Sequence, residues 1–221
     1  MKKTVELFKK ILKQSLMPLS DQTVSEWADS YRMISGEAAA EPGRWRTNRA
    51  PYQKAIMDAF TEPGITRVVA KTASQVGKSD IMNNVIGRFA HLAPAPIMMI
   101  QPTIETSQDY SKSRIAPMIR DTKVLRDIFK DVKSRDAGNT ILSKQFPGGR
   151  LIMAGANSPA GLASKPIKIL LADEVDRFPK SAGTEGDPVS LAAKRMTTFW
   201  DSVMGLFSTP TNAGDSRIED E

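Results

Sequence analysis

The segment Ala73-Ser74-Gln75-Val76-Gly77-Lys78-Ser79 constrains this chain more than any other. A β-branched run, Arg67-Val68-Val69, precedes it, and an amphipathic stretch from Ile81 to Phe89 comes after it. A strand, a tight loop closing on Gly-Lys-Ser and a helix form the setting of a phosphate-binding loop. In such a loop the amides and the helix N-terminus face an anion, the lysine reaches the β- and γ-phosphates, and the hydroxyl ligates Mg²⁺. The full pattern G-x-x-x-x-G-K-[ST] places glycine at position 72, where this chain has Thr72. On its own the tripeptide also fits a plain helix N-terminus with a solvated lysine. Ile81, Met82, Val85, Ile86 and Phe89 share a 3.6-residue period, which marks a core face and says nothing about phosphate.

A second segment narrows the choice. Ile167-Lys168-Ile169-Leu170-Leu171-Ala172-Asp173-Glu174 is an apolar run ending in two carboxylates. Strands buried on both faces of a parallel sheet read as continuous apolar runs, and ligand groups in such sheets sit at the strands' carboxyl ends. An Asp there holds Mg²⁺, directly or through water, and the adjacent Glu polarises the water that attacks the γ-phosphate. The plainer alternative is a strand whose last residues cap a loop. A glycine-lysine-serine loop and then an acidic strand, in that order, favour nucleoside triphosphate chemistry.

The chain has 221 residues, 40% of them hydrophobic, which suits one α/β domain with a full core. It has no cysteine, which excludes disulfides and Cys-based metal sites. Its single histidine, His91, falls near the predicted end of the loop's helix and reads as a helix-end residue rather than a catalyst. The net charge of +6 and a pI of about 9.5 are compatible with a polyanionic partner. No apolar run reaches membrane-spanning length, and Glu6, Lys9, Lys10 and Lys13 interrupt any signal-peptide core, so no membrane association and an intracellular location are expected.

Along the chain, residues 4–17 read as an amphipathic helix on Val5, Phe8, Ile11, Leu12 and Leu16. A second helix, capped by Ser20 or Asp21, carries Val24, Trp27, Ala28 and Tyr31. Both are expected to pack on the edge of the core. Residues 34–51 read as a linker in which Trp45, among Arg44, Arg46 and Arg49, anchors a loop or stacks on nucleic acid, the anchor being favoured. The organisation expected is thus an N-terminal helical segment and linker over residues 1–50 and an ATPase core over 51–221. Within the core, a helix is expected over 52–60 and a buried strand over 97–100. A helical region over 105–131 should break or kink at Pro117. A hairpin should pair Thr140–Leu142 with Arg150–Met153, a loop should span 157–161, a helix 189–197, and a last strand Val203–Phe207. Strands alternating with helices indicate a mainly parallel sheet.

With these segments in order, the sequence resembles the large terminase subunit of lambda-type tailed phages, in its N-terminal packaging ATPase domain. Ser25-Glu26-Trp27-Ala28 resembles that family's N-terminal signature, Pro51-Tyr52-Gln53 its adenine-contact segment, and Lys71 to Ser79 its deviant P-loop, which commonly lacks the first glycine. Gln101-Pro102-Thr103, Ser158 to Ser164 and Leu171 to Arg177 are similar to further motifs. Phe207-Ser208-Thr209-Pro210 is similar to the motif that couples hydrolysis to movement. Two departures stand out. Ser74 occupies a place where many members have arginine, with Lys71 as a substitute, and no nuclease activity is expected from this chain.

The resemblance implies a P-loop NTPase fold of the RecA-like type and an ATP-driven motor that moves double-stranded DNA into a procapsid. It implies ATP and Mg²⁺ as cofactors. It implies the small terminase subunit and the portal as partners, the host cytoplasm as location, and a homo-oligomer on assembly, with the isolated domain a monomer. Ser74, Gln75, Val76, Gly77, Lys78 and Ser79 would bind the phosphates, Tyr52 and Gln53 the adenine, and Ser79 and Asp173 the Mg²⁺. Glu174 would activate water beside Lys78, Ser208 and Thr209 would sense the γ-phosphate, and Lys165 is the candidate cation acting in trans on a neighbouring subunit. The rivals are a superfamily-2 helicase, since Asp173-Glu174-Val175-Asp176 reads D-E-x-D, a non-hydrolysing nucleotide-switched DNA-binding module, and a metabolic P-loop kinase.

Overall fold

The computed structural model describes residues 21–37, 41–129, 139–163, 165–211 and 216–220. The helix expected over 4–17 lies outside them. The described chain begins with α1, Val24–Tyr31, whose N-cap Thr23 and Glu26 form a reciprocal capping box. A two-residue antiparallel ribbon pairs Met33–Ile34 with Gly43–Arg44. The helix α2, Tyr52–Asp58, runs into a 3₁₀ turn, Ala59–Thr61. Then come β1 (Arg67–Lys71), α3 (Lys78–Leu92), β2 (Pro96–Gln101) and α4 (Ile104–Tyr110). A π-helical turn, Ser111–Ile115, leads to α5 (Ala116–Asp121) and α6 (Lys123–Ile128). The remaining elements are β3 (Ser143–Phe146), β4 (Gly149–Gly155), α7 (Pro159–Leu162), β5 (Ile169–Asp173), α8 (Pro188–Ala193), β6 (Val203–Ser208) and α9 (Arg217–Asp220).

Six strands form one sheet in the order β1-β6-β5-β2-β4-β3. Every pairing is parallel except that of β3 with β4. The register sets Asp173 opposite Phe207 and Lys71 opposite Ser208, so the carboxyl ends of β1, β6 and β5 line up. The strands β5 and β6 are buried throughout, as the continuous apolar runs require. Their side chains alternate between two cores. Ile169 and Leu171 face one with Trp27, Met57, Ile86 and Phe207, while Leu170 and Ala172 face the other with Met98, Leu162, Val189 and Leu206.

The N-terminal helix is part of this packing. Val24, Trp27 and Ala28 are fully buried, and the Trp27 ring lies so close to Gly87 that a Cβ there would come within 2.1 Å of it. Trp27 Nε1 donates to His91 Nδ1 at 3.1 Å, and Tyr31 meets the same imidazole edge-on. His91 is thus a helix-end packing residue, its pKa lowered by burial. Trp45 is buried and donates to Thr47 Oγ1, so it is a loop anchor.

Several local expectations need correction. The cap of α1 is Thr23, not Ser20 or Asp21. The helical region does not break at Pro117; the irregularity there is the π-turn just before it, Ser111–Ile115. That proline enters α5 at its first turn, after the π-turn, and the break falls at Thr122. A proline removes one N–H and crowds the carbonyl four residues back, which a widened π-turn accommodates without ending the helix. The hairpin strand is Ser143–Phe146, not 140–142, because the turn Pro147-Gly148 needs its two arms adjacent and Gly148 supplies the left-handed φ of 82°. The stretch 157–161 is not wholly loop, since Pro159 opens the short α7.

Candidate active site

The site lies at the carboxyl edge of the sheet, between β1 and β5, with β6 between them. Beyond β1 the Thr72 N–H donates to Ser208 O at 3.1 Å, which fixes the start of the loop to β6. Gln75 and Gly77 both have positive φ, 63° and 83°. Gly77 is required twice over, by that conformation and by space, since a Cβ would lie 2.3 Å from Gln53 Nε2. Its carbonyl accepts from Asp80 and Ile81 and starts α3. The first amides of that helix have no intrahelical acceptor and point out of its positive end.

Tyr52 and Gln53, at the start of α2, both reach the loop. Gln53 Nε2 donates to Val76 O at 2.8 Å, and the Tyr52 hydroxyl donates to the same oxygen at 3.2 Å. Gln53 is buried and Tyr52 is 58% exposed. The amide of Gln53 therefore supports the loop from beneath, and the exposed ring beside it is Tyr52. Ser74 and Gln75 are exposed in the loop itself.

Lys78 is buried, with its Nζ 2.5 Å from Thr209 Oγ1 and 3.4 Å from Glu174 Oε1. Asp173 is also buried and accepts from Gln101 Nε2 at 3.0 Å. Burial pushes its pKa up to about 6, with Gln101 and Lys78 opposing and Glu174 adding to the rise. Glu174 has φ 56° and ψ 50°, a left-handed conformation that a non-glycine residue rarely holds. Strain of this kind persists where surrounding structure enforces it, often at functional positions. Here it turns the chain sharply after β5 and places the Glu174 carboxylate against Lys78. Ser208 is buried, accepts from Asp176 N at 3.2 Å and donates to Thr209 O at 3.1 Å. Of the expected sensing pair, Thr209 touches Lys78 and Ser208 braces the backbone.

The structure thus brings together Lys78, Ser79, Asp173, Glu174, Thr209, Tyr52 and Gln53. It does not bring Lys165 to them. Lys165 is exposed, just before Ile167 and Lys168, whose amides bond Arg195 O and Pro96 O at the amino edge of the sheet. Three residues with contacts at the site went unassigned in the sequence. Gln101 ends an apolar strand beside Asp173, a position the strand pattern marks. The Tyr110 hydroxyl, 3.1 Å from Ser79 O, has no sequence signal. Asp176 reads as the last letter of D-E-x-D, yet its carboxylate accepts from Thr211 N and Oγ1, Ser216 Oγ and Ile218 N. It ties the segment after β6 to the acidic strand.

These features fit a magnesium nucleotide. Burial raises the pKa of this carboxylate, and a divalent cation would compensate the negative charge that burial disfavours. Among the described residues, buried side-chain atoms without a hydrogen-bond partner include Thr72 Oγ1 and Gln53 Oε1, both at the loop.

Comparison with known proteins agrees with this geometry. Residues 39–221 match the family model of the phage terminase large subunit gpA, ATPase domain. The chain belongs to that family. It is 29% identical over 209 residues to the terminase large subunit of Escherichia phage lambda, covering 93% of this chain and 32% of the relative. It is 27% identical over 200 residues to that of Enterobacteria phage P21, covering 89% and 30%. The chain therefore spans about a third of the length of these terminases. Among solved structures, the HK97 bacteriophage large terminase superposes with a TM-score of 0.69 at 12% identity, over 92% of this chain and 40% of that one. The large terminase of bacteriophage D6E in complex with ADP gives 0.50 at 18% identity, over 73% and 39%. At these identities the likeness establishes the fold.

Lys71, the expected substitute for the loop arginine, is exposed at the end of β1. Its Nζ pairs with Glu219 Oε1 at 3.0 Å, on the outer face of β1. No helix among the described residues is long and apolar enough to cross a membrane.

Proposed function

We propose that this chain is the ATP-hydrolysing motor domain of a DNA-packaging terminase, acting on double-stranded DNA. The observation that carries the reading is the meeting of Lys78, Asp173 and Glu174 at one sheet edge, in a chain of the terminase family. Lys78 and the loop amides bind the β- and γ-phosphates and stabilise charge that moves in the transition state, where fixed electrostatics act most strongly. Ser79 and Asp173 would hold Mg²⁺, which would supply neutralisation of phosphate charge. Glu174 orients and deprotonates the attacking water, and Thr209 feels whether Lys78 is engaged by phosphate. The exposed Tyr52 ring borders the adenine. Lys165 serves a neighbouring subunit in a homo-oligomer assembled at a portal with a small subunit in the host cytoplasm.

Steady-state ATPase of Lys78→Ala tests the site. Loss of the cation removes several kcal/mol of transition-state stabilisation, and turnover within about threefold of wild type would overturn the assignment. For the DNA, fluorescence anisotropy on two unrelated duplexes should show affinities within about tenfold of each other. Binding should fall at least about tenfold between roughly 50 and 200 mM salt, because phosphate contacts release counterions. A strong preference for one duplex would favour a sequence-reading module.

A further inference from the structure

The two residues assigned to Mg²⁺ come from different strand-loop units, Ser79 after β1 and Asp173 at the end of β5. Their separation is not set by their own chain neighbours alone. Gln101, the last residue of β2, donates to Asp173 Oδ2 at 3.0 Å, and both groups are buried. The chain then turns at Pro102-Thr103, where Thr103 caps α4 in a reciprocal box with Thr106. At the far end of α4 the Tyr110 hydroxyl sits 3.1 Å from Ser79 O and 3.0 Å from Asn83 Oδ1. Its ring is buried in the core with Val85 and Ile115, and the π-turn begins at the next residue. The end of β2 and the end of the short helix that follows it thus each contact one of the two positions assigned to the metal.

We propose that Gln101 and Tyr110 are positioning residues that hold Asp173 and Ser79 at the spacing Mg²⁺ requires. This rests on the magnesium-nucleotide reading of the site. Neither residue touches the nucleotide in this role. Gln101 fixes the orientation of the Asp173 carboxylate by donating to one of its oxygens, leaving the other for the ion. Tyr110 pins the carbonyl of Ser79, and with it the direction in which the first turn of α3 presents the Ser79 hydroxyl. Mg²⁺ demands near-ideal octahedral geometry with short bonds, so it is sensitive to small errors in ligand spacing. Hydrogen-bond partners one shell out from a metal commonly influence affinity by about 10–100-fold.

The test uses Tyr110→Phe, which keeps the ring and removes only the hydroxyl, and Gln101→Met, which keeps length and removes the donor. A fluorescent ATP analogue is titrated into the folded domain in EDTA and at rising Mg²⁺, with thermal melting as a check on folding. Each variant should bind the analogue in EDTA within about twofold of wild type. Each should need about tenfold more Mg²⁺ to reach half of the metal-dependent gain. Mn²⁺ binding followed by electron paramagnetic resonance, in the presence of non-hydrolysable nucleotide, should show the same loss. If wild type binds the analogue with no dependence on Mg²⁺, the magnesium reading itself fails and takes this inference with it. If wild type depends on Mg²⁺ but both variants keep its half-saturation within about twofold, the positioning role alone is overturned. A variant that loses binding equally in EDTA and in Mg²⁺ has a general structural role and also counts against the proposal.

Discussion

Lys78 Nζ lies 3.4 Å from Glu174 Oε1, so the cation proposed to meet phosphate and the carboxylate proposed to activate water are held against each other. A phosphate oxygen arriving at Lys78 competes with that carboxylate. Glu174→Gln removes the competing charge along with the base. ATP binding should tighten about two- to fivefold, the size of a partly exposed ion pair, while turnover falls at least about a hundredfold. Equilibrium binding and single-turnover hydrolysis measure both, and weaker binding in the variant would contradict the competition.

Asp173 should make the metal-free domain sensitive to pH. Its folded pKa is about 6, above the unfolded value near 3.9. The folded state then holds an extra proton between those values. This contribution to stability is complete below about pH 4 and is lost as pH rises through 6. Two units correspond to roughly 3 kcal/mol. Asp173→Asn cannot ionise and should escape the loss. In EDTA, the melting temperature of wild type should drop relative to Asp173→Asn by several degrees between pH 5 and 7.5. A difference that does not change with pH would show that burial does not perturb the group.

Asp176 should matter for stability and not for nucleotide. Asp176→Ala leaves Thr211, Ser216 and the Ile218 amide without their acceptor. The expected cost is about 2–4 kcal/mol, from lost charge-assisted bonds and buried donors. Mg²⁺ half-saturation and ATP affinity should stay within about twofold of wild type. A variant that melts normally but loses Mg²⁺ dependence would instead favour a helicase-type use of the D-E-x-D tetrad.

Gly87→Ala sets two effects against each other. Alanine in a helix interior gains about 1 kcal/mol over glycine. Here the new methyl would meet the Trp27 ring at 2.1 Å, and overpacking of a filled core costs about 1–3 kcal/mol. Net destabilisation is expected in chemical denaturation. The cost should shrink when Trp27 is also replaced by Phe, and an additive double mutant would rule out the contact as the cause.

Much of the fold and site was legible because it is local. The Gly77-Lys78-Ser79 loop, the apolar run ending at Asp173-Glu174 and the run ending at Ser208 each announce a strand and the turn at its carboxyl end. The buried α1 was legible from the spacing of Val24, Trp27 and Ala28. The hidden part is set by tertiary pairing. The bond from the Gln53 amide to Val76 O has no signal in the sequence, and Tyr110 carries no motif because its contact comes from where α4 ends. The strand Ser143–Phe146 was misplaced because its Ser-Lys-Gln-Phe composition is polar, as edge strands tend to be. Near Pro117 the sequence marks an irregularity but not its form, because the π-turn ahead of the proline is not written in any residue type.

The strand β6 is bonded to β1 along Arg67–Lys71 and to β5 along Ile169–Asp173. The loop proposed to bind phosphate and the carboxylates that face it are therefore rungs of one lattice. Interiors packed this closely compress little and pass strain on. Phosphate arriving at Lys78 cannot spread its two flanking strands like a jaw. At the lattice's end lie Thr209, bonded to Lys78, and the backbone that Asp176 holds at Thr211, Ser216 and Ile218. A displacement at Lys78 is therefore expected to register at Thr209 and not in the spacing of the strands.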